Sequence, residues 1–264
     1  MFNLKVFLAE LIGTFALVFI GVGAGIVNAG LIGVALAFGF TLAVFSYVYG
    51  PISGAHLNPA VTFGLALNGS LKWGQTIFYW FAQFAGAILA AFLLKTLVAA
   101  VDPTITIEAG ATVGVLTDKA PVLAMLFEAI LTFFLLNTIL HTTVGGKSGQ
   151  LSGWVIGMTY AFAILAGGPF TGASMNPART LGPAIFSAPS ISNVYTYLIY
   201  FLGPLLGATF AVILFKYFNE TEDDLLEEDF DDDEILEEVE IIEEVIVPVK
   251  ARKPATRKKA QKES

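Results

Sequence analysis

Two Asn-Pro-Ala triplets, Asn58-Pro59-Ala60 and Asn176-Pro177-Ala178, are the residues best placed to do chemistry, and the chemistry they suit is hydrogen bonding without reaction. Asparagine before proline starts a helix: the side chain caps the first turn, where proline's missing N–H costs nothing. The amide then has N–H groups left to donate to a ligand. Three positions after Asn176 stands Arg179, the only arginine in the first 218 residues. Its guanidinium offers forked donors to a neutral solute and repels cations. Glu10 and Glu128 lie within long apolar runs. Buried carboxylates need donors, so both are expected to brace the irregular segments before the triplets by accepting from their N–H groups. No nucleophile or metal cluster accompanies them, and the chain has no cysteine. Catalysis, a metal centre and a cofactor are therefore not expected. His56, two residues before Asn58, reads as a loop hydrogen-bonder in preference to a proton-sensing gate, and His141 has no assigned role.

The elements that must position these groups are apolar. Of the 264 residues 56% are hydrophobic and 14% charged, against roughly 25% charged in ordinary globular domains. Runs near 6–28, 31–50, 76–100, 122–144, 151–168 and 194–218 approach the roughly 20 residues a bilayer span needs, the fifth being the shortest. Two shorter stretches, 58–67 and 176–186, cover about half that thickness as helix. Each begins at a triplet and follows Gly-containing irregular sequence, Ser53-Gly54-Ala55-His56 and Thr171-Gly172-Ala173-Ser174. Non-helical backbone at membrane depth is tolerated only against protein or water, so these stretches predict a cavity.

The halves match at an offset of 118 residues: Glu10 with Glu128, Gly39 with Gly157, Gly54 with Gly172, Asn58 with Asn176. Later the offset is 121, pairing Tyr79 with Tyr200 and Gly86 with Gly207. Three spans and a half-helix per unit make the second unit enter from the opposite face, an inverted repeat with its centre near the midplane. The expected fold is an all-α membrane protein of six transmembrane helices and two re-entrant half-helices. Residues 1–218 would form it, in halves of about 1–100 and 122–218. A coupled transporter needs intramembrane ionisable groups for its driving ion. Only Glu10, Glu128 and Arg179 lie at depth here, which favours a passive pore.

At this point the sequence resembles the aquaporin (major intrinsic protein) family over nearly all of residues 5–218. The resemblance rests on His56-Leu57-Asn58-Pro59-Ala60-Val61-Thr62, on Met175-Asn176-Pro177-Ala178-Arg179, and on Glu10 and Glu128. It implies a homotetramer with one pore in each subunit. The half-helices would meet at their N-termini, each presenting about half a positive charge. Asn58 and Asn176 would there bind a passing water, an arrangement already general for aquaporin-type pores. The narrowest point would be formed by Phe38, Ile164, Ala173 and Arg179. Strictly water-selective members carry a histidine where Ile164 stands, so this constriction is expected to be wider and less polar. Glycerol-conducting members place an aspartate after the arginine and a Pro-Leu pair late in the sixth span, against Thr180 and Tyr200-Phe201 here. Water is the expected main permeant. Ammonia, hydrogen sulfide and carbon dioxide are open alternatives, and glycerol is a weaker one. The expected partners are water, small neutral solutes and the lipid bilayer, with no nucleic acid.

Lys5, Lys72, Lys147 and Lys216 would share one side of the membrane, while the loop 101–121 is mainly acidic. The positive-inside asymmetry then predicts both termini in the cytoplasm, and the expected location is the cell membrane. Residues 219–264 hold seventeen acids and seven bases, every acid but Glu263 preceding the bases, a charged cytoplasmic tail expected to be solvated and disordered.

Overall fold

The computed structural model describes residues 2–146, 149–187 and 194–219, apart from the side chains of Glu108, Ala109, Val194 and Tyr195. The chain divides into two units, Met1–Phe218 and Asn219–Ser264. Beyond Asn219 the second unit, and with it the expected tail, lies outside the described residues.

In chain order the helices are α1 (Leu4–Ile26), α2 (Gly30–Ser53), α3 (Pro59–Leu67), α4 (Trp73–Val101), α5 (Val115–Lys119), α6 (Pro121–Ile139), α7 (Ser152–Thr171), α8 (Pro177–Ala184) and α9 (Val194–Asn219). A wider turn carries α6 on to Val144. Six of them are long and apolar enough to cross a membrane. Large side chains such as Ile32, Phe81, Leu123, Phe162 and Phe210 stand exposed on their outer faces. Helices apolar on both the packed and the outward face suit a lipid solvent.

The sequence pattern ended the second and fifth spans at residues 50 and 168, just before a proline. In the structure both run one turn further, through Pro51 to Ser53 and through Pro169 to Thr171. The ring removes one hydrogen bond near the helix end, where the disturbance is local. The fifth span is thereby 23 residues long, starting at Gly149.

Packing repeats along with the sequence. A Cβ on Gly86 of α4 would overlap the Leu11 carbonyl of α1, and one on Gly207 of α9 would overlap the Ala129 carbonyl of α6. Leu11 and Ala129 are themselves 118 residues apart. Between the halves α2 lies on α7, where Gly39 and Gly157 face each other. A Cβ on Gly39 would sit 2.6 Å from the Gly157 carbonyl oxygen, and one on Gly157 would overlap that of Gly39. This reciprocal contact marks the approximate two-fold relation between the halves, and α3 and α8 are carried inward on either side of it.

Candidate functional site

The site begins where α2 and α7 end. Gly54 and Gly172 close them with φ of +87° and +80°, donating to the carbonyls of Gly50 and Gly168. Glycine reaches this region without steric cost. The next residues have no such freedom: Ala55, Leu57, Ala173 and Met175 all have φ between 45° and 53°. Each left-handed non-glycine residue costs on the order of 1 kcal/mol or more and persists only where its surroundings hold it.

Two buried carboxylates do the holding. Glu10 accepts from the Ser53 hydroxyl at 2.6 Å and from the N–H groups of His56 and Leu57 at 2.9 and 2.7 Å. Glu128 accepts from the Thr171 hydroxyl at 2.7 Å and from the N–H groups of Ser174 and Met175 at 2.9 and 2.7 Å. Tyr79 and Tyr200 add the same support, their hydroxyls donating at 2.7 Å to the carbonyls of Ser53 and Thr171. One asymmetry stands out. Gln83 gives Glu10 a further bond of 2.8 Å, whereas Pro204 occupies the matching place in the second half.

So shaped, the loops deliver α3 and α8 tip to tip. Asn58 Oδ1 accepts from Ala60 N, and Asn176 Oδ1 accepts from Ala178 N and Arg179 N. The amide nitrogens cross over: Asn58 Nδ2 donates to the Met175 carbonyl at 2.7 Å, and Asn176 Nδ2 to the Leu57 carbonyl at 2.9 Å. An amide nitrogen has two hydrogens, so each asparagine keeps one donor for something outside this lock.

Both asparagines line a cavity of about 830 Å³ whose wall also includes Tyr47, His56, Gln150 and Trp154. Several loop carbonyls already have protein donors. Leu57 and Met175 accept from the asparagines, Ser174 from the Tyr160 hydroxyl at 3.1 Å, and Gly172 from Arg179 at 3.4 Å. A carbonyl's second lone pair can still accept from water.

Phe38, Ile164, Ala173 and Arg179 are buried and do not line that cavity. Arg179 lies with its guanidinium carbon 4.8 Å from the centre of the Phe38 ring. Nη1 donates to Thr112 Oγ1, and Nη2 donates to the carbonyl just before Ala173. Phe38 also meets Tyr160 edge to face at 5.9 Å, one helical turn before Ile164 on α7. Phe38 and Arg179 are thus brought together, Ala173 follows the Gly172 carbonyl that Arg179 meets, and Ile164 is buried one turn beyond Tyr160 on α7. Among the described residues no group of His, Cys, Asp and Glu could hold a metal ion.

Thr112 was missed by sequence reasoning, as were the roles of Tyr79, Tyr200 and Gln83. Thr112 lies 67 residues from Arg179 in an irregular segment, and nothing in its neighbours marks it. The tyrosines did leave a signal, their repetition at the offset of 121.

Comparison with known proteins places the chain in a family. The family model described as major intrinsic protein matches residues 1–215. A probable aquaporin TIP2-2 from Oryza sativa subsp. japonica is 39% identical over 81% of this chain and 87% of its own. A glycerol uptake facilitator protein-like 6 from Lactiplantibacillus plantarum is 37% identical over 79% of this chain and 95% of its own. The solved aquaglyceroporin from Plasmodium falciparum superposes with a TM-score of 0.70 at 25% identity, covering 80% of this chain and 94% of that one.

Proposed function

The chain belongs to the major intrinsic protein family, and from that premise we propose that it conducts water in single file while excluding protons and ions. Members of this family are channels, and this one is a multi-pass membrane protein with six apolar helices. The observation that carries the water reading is the crossed asparagine pair, which leaves one amide donor each for the lumen at the head of the large cavity.

A water accepting from both donors turns its hydrogens outward along the pore and cannot readily take a proton from its neighbours. The helix N-termini behind Asn58 and Asn176 repel hydronium besides, as in aquaporin-type pores generally. Phe38, Ile164, Ala173 and Arg179 are assigned to the selectivity filter, with Arg179 repelling cations. Glu10 and Glu128 are assigned to loop bracing. The proposed organisation is a channel body at 1–218 in a homotetramer, with 219–264 as a cytoplasmic tail and the cavity opening to the cytoplasm of the cell.

Ile164 favours a second reading, a pore chiefly for small neutral solutes such as ammonia, hydrogen sulfide or carbon dioxide, since an aliphatic wall withdraws a hydrogen-bonding group from the constriction. Stopped-flow light scattering on proteoliposomes separates the two. Water flux well above bare lipid supports the first, and rapid solute flux beside negligible water flux supports the second.

A further inference from the structure

The hydrogen bonds around Thr62 determine which nitrogen of His56 carries its proton. Gln83 Nε2 lies 2.8 Å from Glu10 Oε2 and 2.8 Å from Thr62 Oγ1. Facing a carboxylate, that end of the amide must be its NH2, so Thr62 accepts from Gln83. Thr62 Oγ1 also lies 3.0 Å from the Asn58 carbonyl and 3.1 Å from His56 Nδ1. A hydroxyl has one hydrogen and two lone pairs. If that hydrogen goes to Asn58, Nδ1–H of His56 fills the remaining lone pair and all three contacts are bonds. If it goes to Nδ1, the Asn58 contact is lost.

We infer that His56 is held as the Nδ1–H tautomer and that its Nε2 is a fixed acceptor in the wall of the large cavity. The ring is buried and tilted against that of Tyr79, centroids 4.7 Å apart, with Nε2 against the Cβ-less side of Gly54. His56 lines the cavity beside Asn58, and among the described residues no protein donor reaches Nε2.

The consequence for permeation rests on the water-channel reading above. The lumen presents donors at Asn58 and Asn176 and, just inside them, His56 Nε2 as a side-chain acceptor beside the loop carbonyls. A water leaving the asparagines hydrogen-first is received by a group that can only accept. The matching residue in the second half is Ser174, whose hydroxyl is bonded to the Asn176 carbonyl and Thr180, so the matching position there supplies no ring acceptor, and Arg179 lies on that side as a donor. The inner mouth therefore favours neutral solutes that donate hydrogen bonds, water and ammonia, over those that cannot, such as carbon dioxide.

The chain has two histidines. Full-length protein carrying His141→Gln, labelled with 15N-histidine and reconstituted in lipid vesicles, gives the His56 ring nitrogens alone in solid-state NMR. The expected spectrum has Nδ1 protonated and Nε2 unprotonated, retained in Thr62→Ser and mixed in Thr62→Val. A protonated Nε2 in the otherwise unaltered chain overturns the tautomer. In the osmotic assay His56→Phe should lower water permeability per channel about fivefold, the loss of roughly one net hydrogen bond. Unchanged permeability overturns the contact with water. Absent water flux in the unmodified protein instead overturns the channel reading, while the NMR result stands independently.

Discussion

Glu10 and Glu128, 118 residues apart, hold their loops through the same trio of donors, one hydroxyl and two backbone N–H groups. A carboxylate can accept from all three, whereas a glutamine must turn its NH2 toward at least one of those backbone donors. Glu10→Gln and Glu128→Gln should each cost about 2–4 kcal/mol, as expected when a buried charged acceptor is lost. Thermal unfolding followed by tryptophan fluorescence checks this; native stability in either variant would remove the bracing role.

Gly157 has no room for a side chain against α2. Gly157→Ala should push α2 and α7 apart and destabilise the protein by about 1–3 kcal/mol, the usual cost of overpacking. Gly50, whose added Cβ would meet nothing within 4 Å, provides the control substitution to alanine. Equal melting temperatures for the two variants would contradict the close helix contact.

Thr112 anchors one end of the Arg179 guanidinium. Thr112→Val keeps the shape and removes the acceptor, so the guanidinium gains freedom and the constriction loosens. Glycerol permeability relative to water should rise several-fold, while Thr112→Ser keeps the native ratio. Unchanged ratios in both would show that the Phe38 ring and Gly172 carbonyl suffice to place the arginine.

Ile164 is buried on α7, one turn after the Tyr160 that meets Phe38. Ile164→His should narrow the passage and restore a polar wall, lowering the ratio of neutral-solute to water permeability. Solute-resolved light scattering checks it, and an unchanged ratio would count against Ile164 as a filter residue.

The half-helices and the repeat were legible because their signals are residue identities: a proline after a capping asparagine, and glycines recurring at offsets of 118 and 121. Helix ends at Pro51 and Pro169 were less legible, since a proline in the last turn and one just past it leave similar local patterns. The hydrogen-bond partners were hidden for a different reason. Thr112 meets Arg179, and Gln83 meets Glu10 and Thr62, only after helices distant in sequence have packed. Even the crossed asparagine bonds, 117 and 119 residues apart, follow from the fold and not from either triplet alone.

Passage of water with exclusion of protons can be tested in one preparation, because both fluxes are readable together. Proteoliposomes with an internal pH dye are subjected first to an osmotic step and then to a pH step with valinomycin and potassium clamping the potential. Rapid shrinkage under the osmotic step and a proton leak no greater than that of bare lipid are expected. Water flux at the bare-lipid level, or a proton leak rising with the amount of protein, would contradict the water-channel reading.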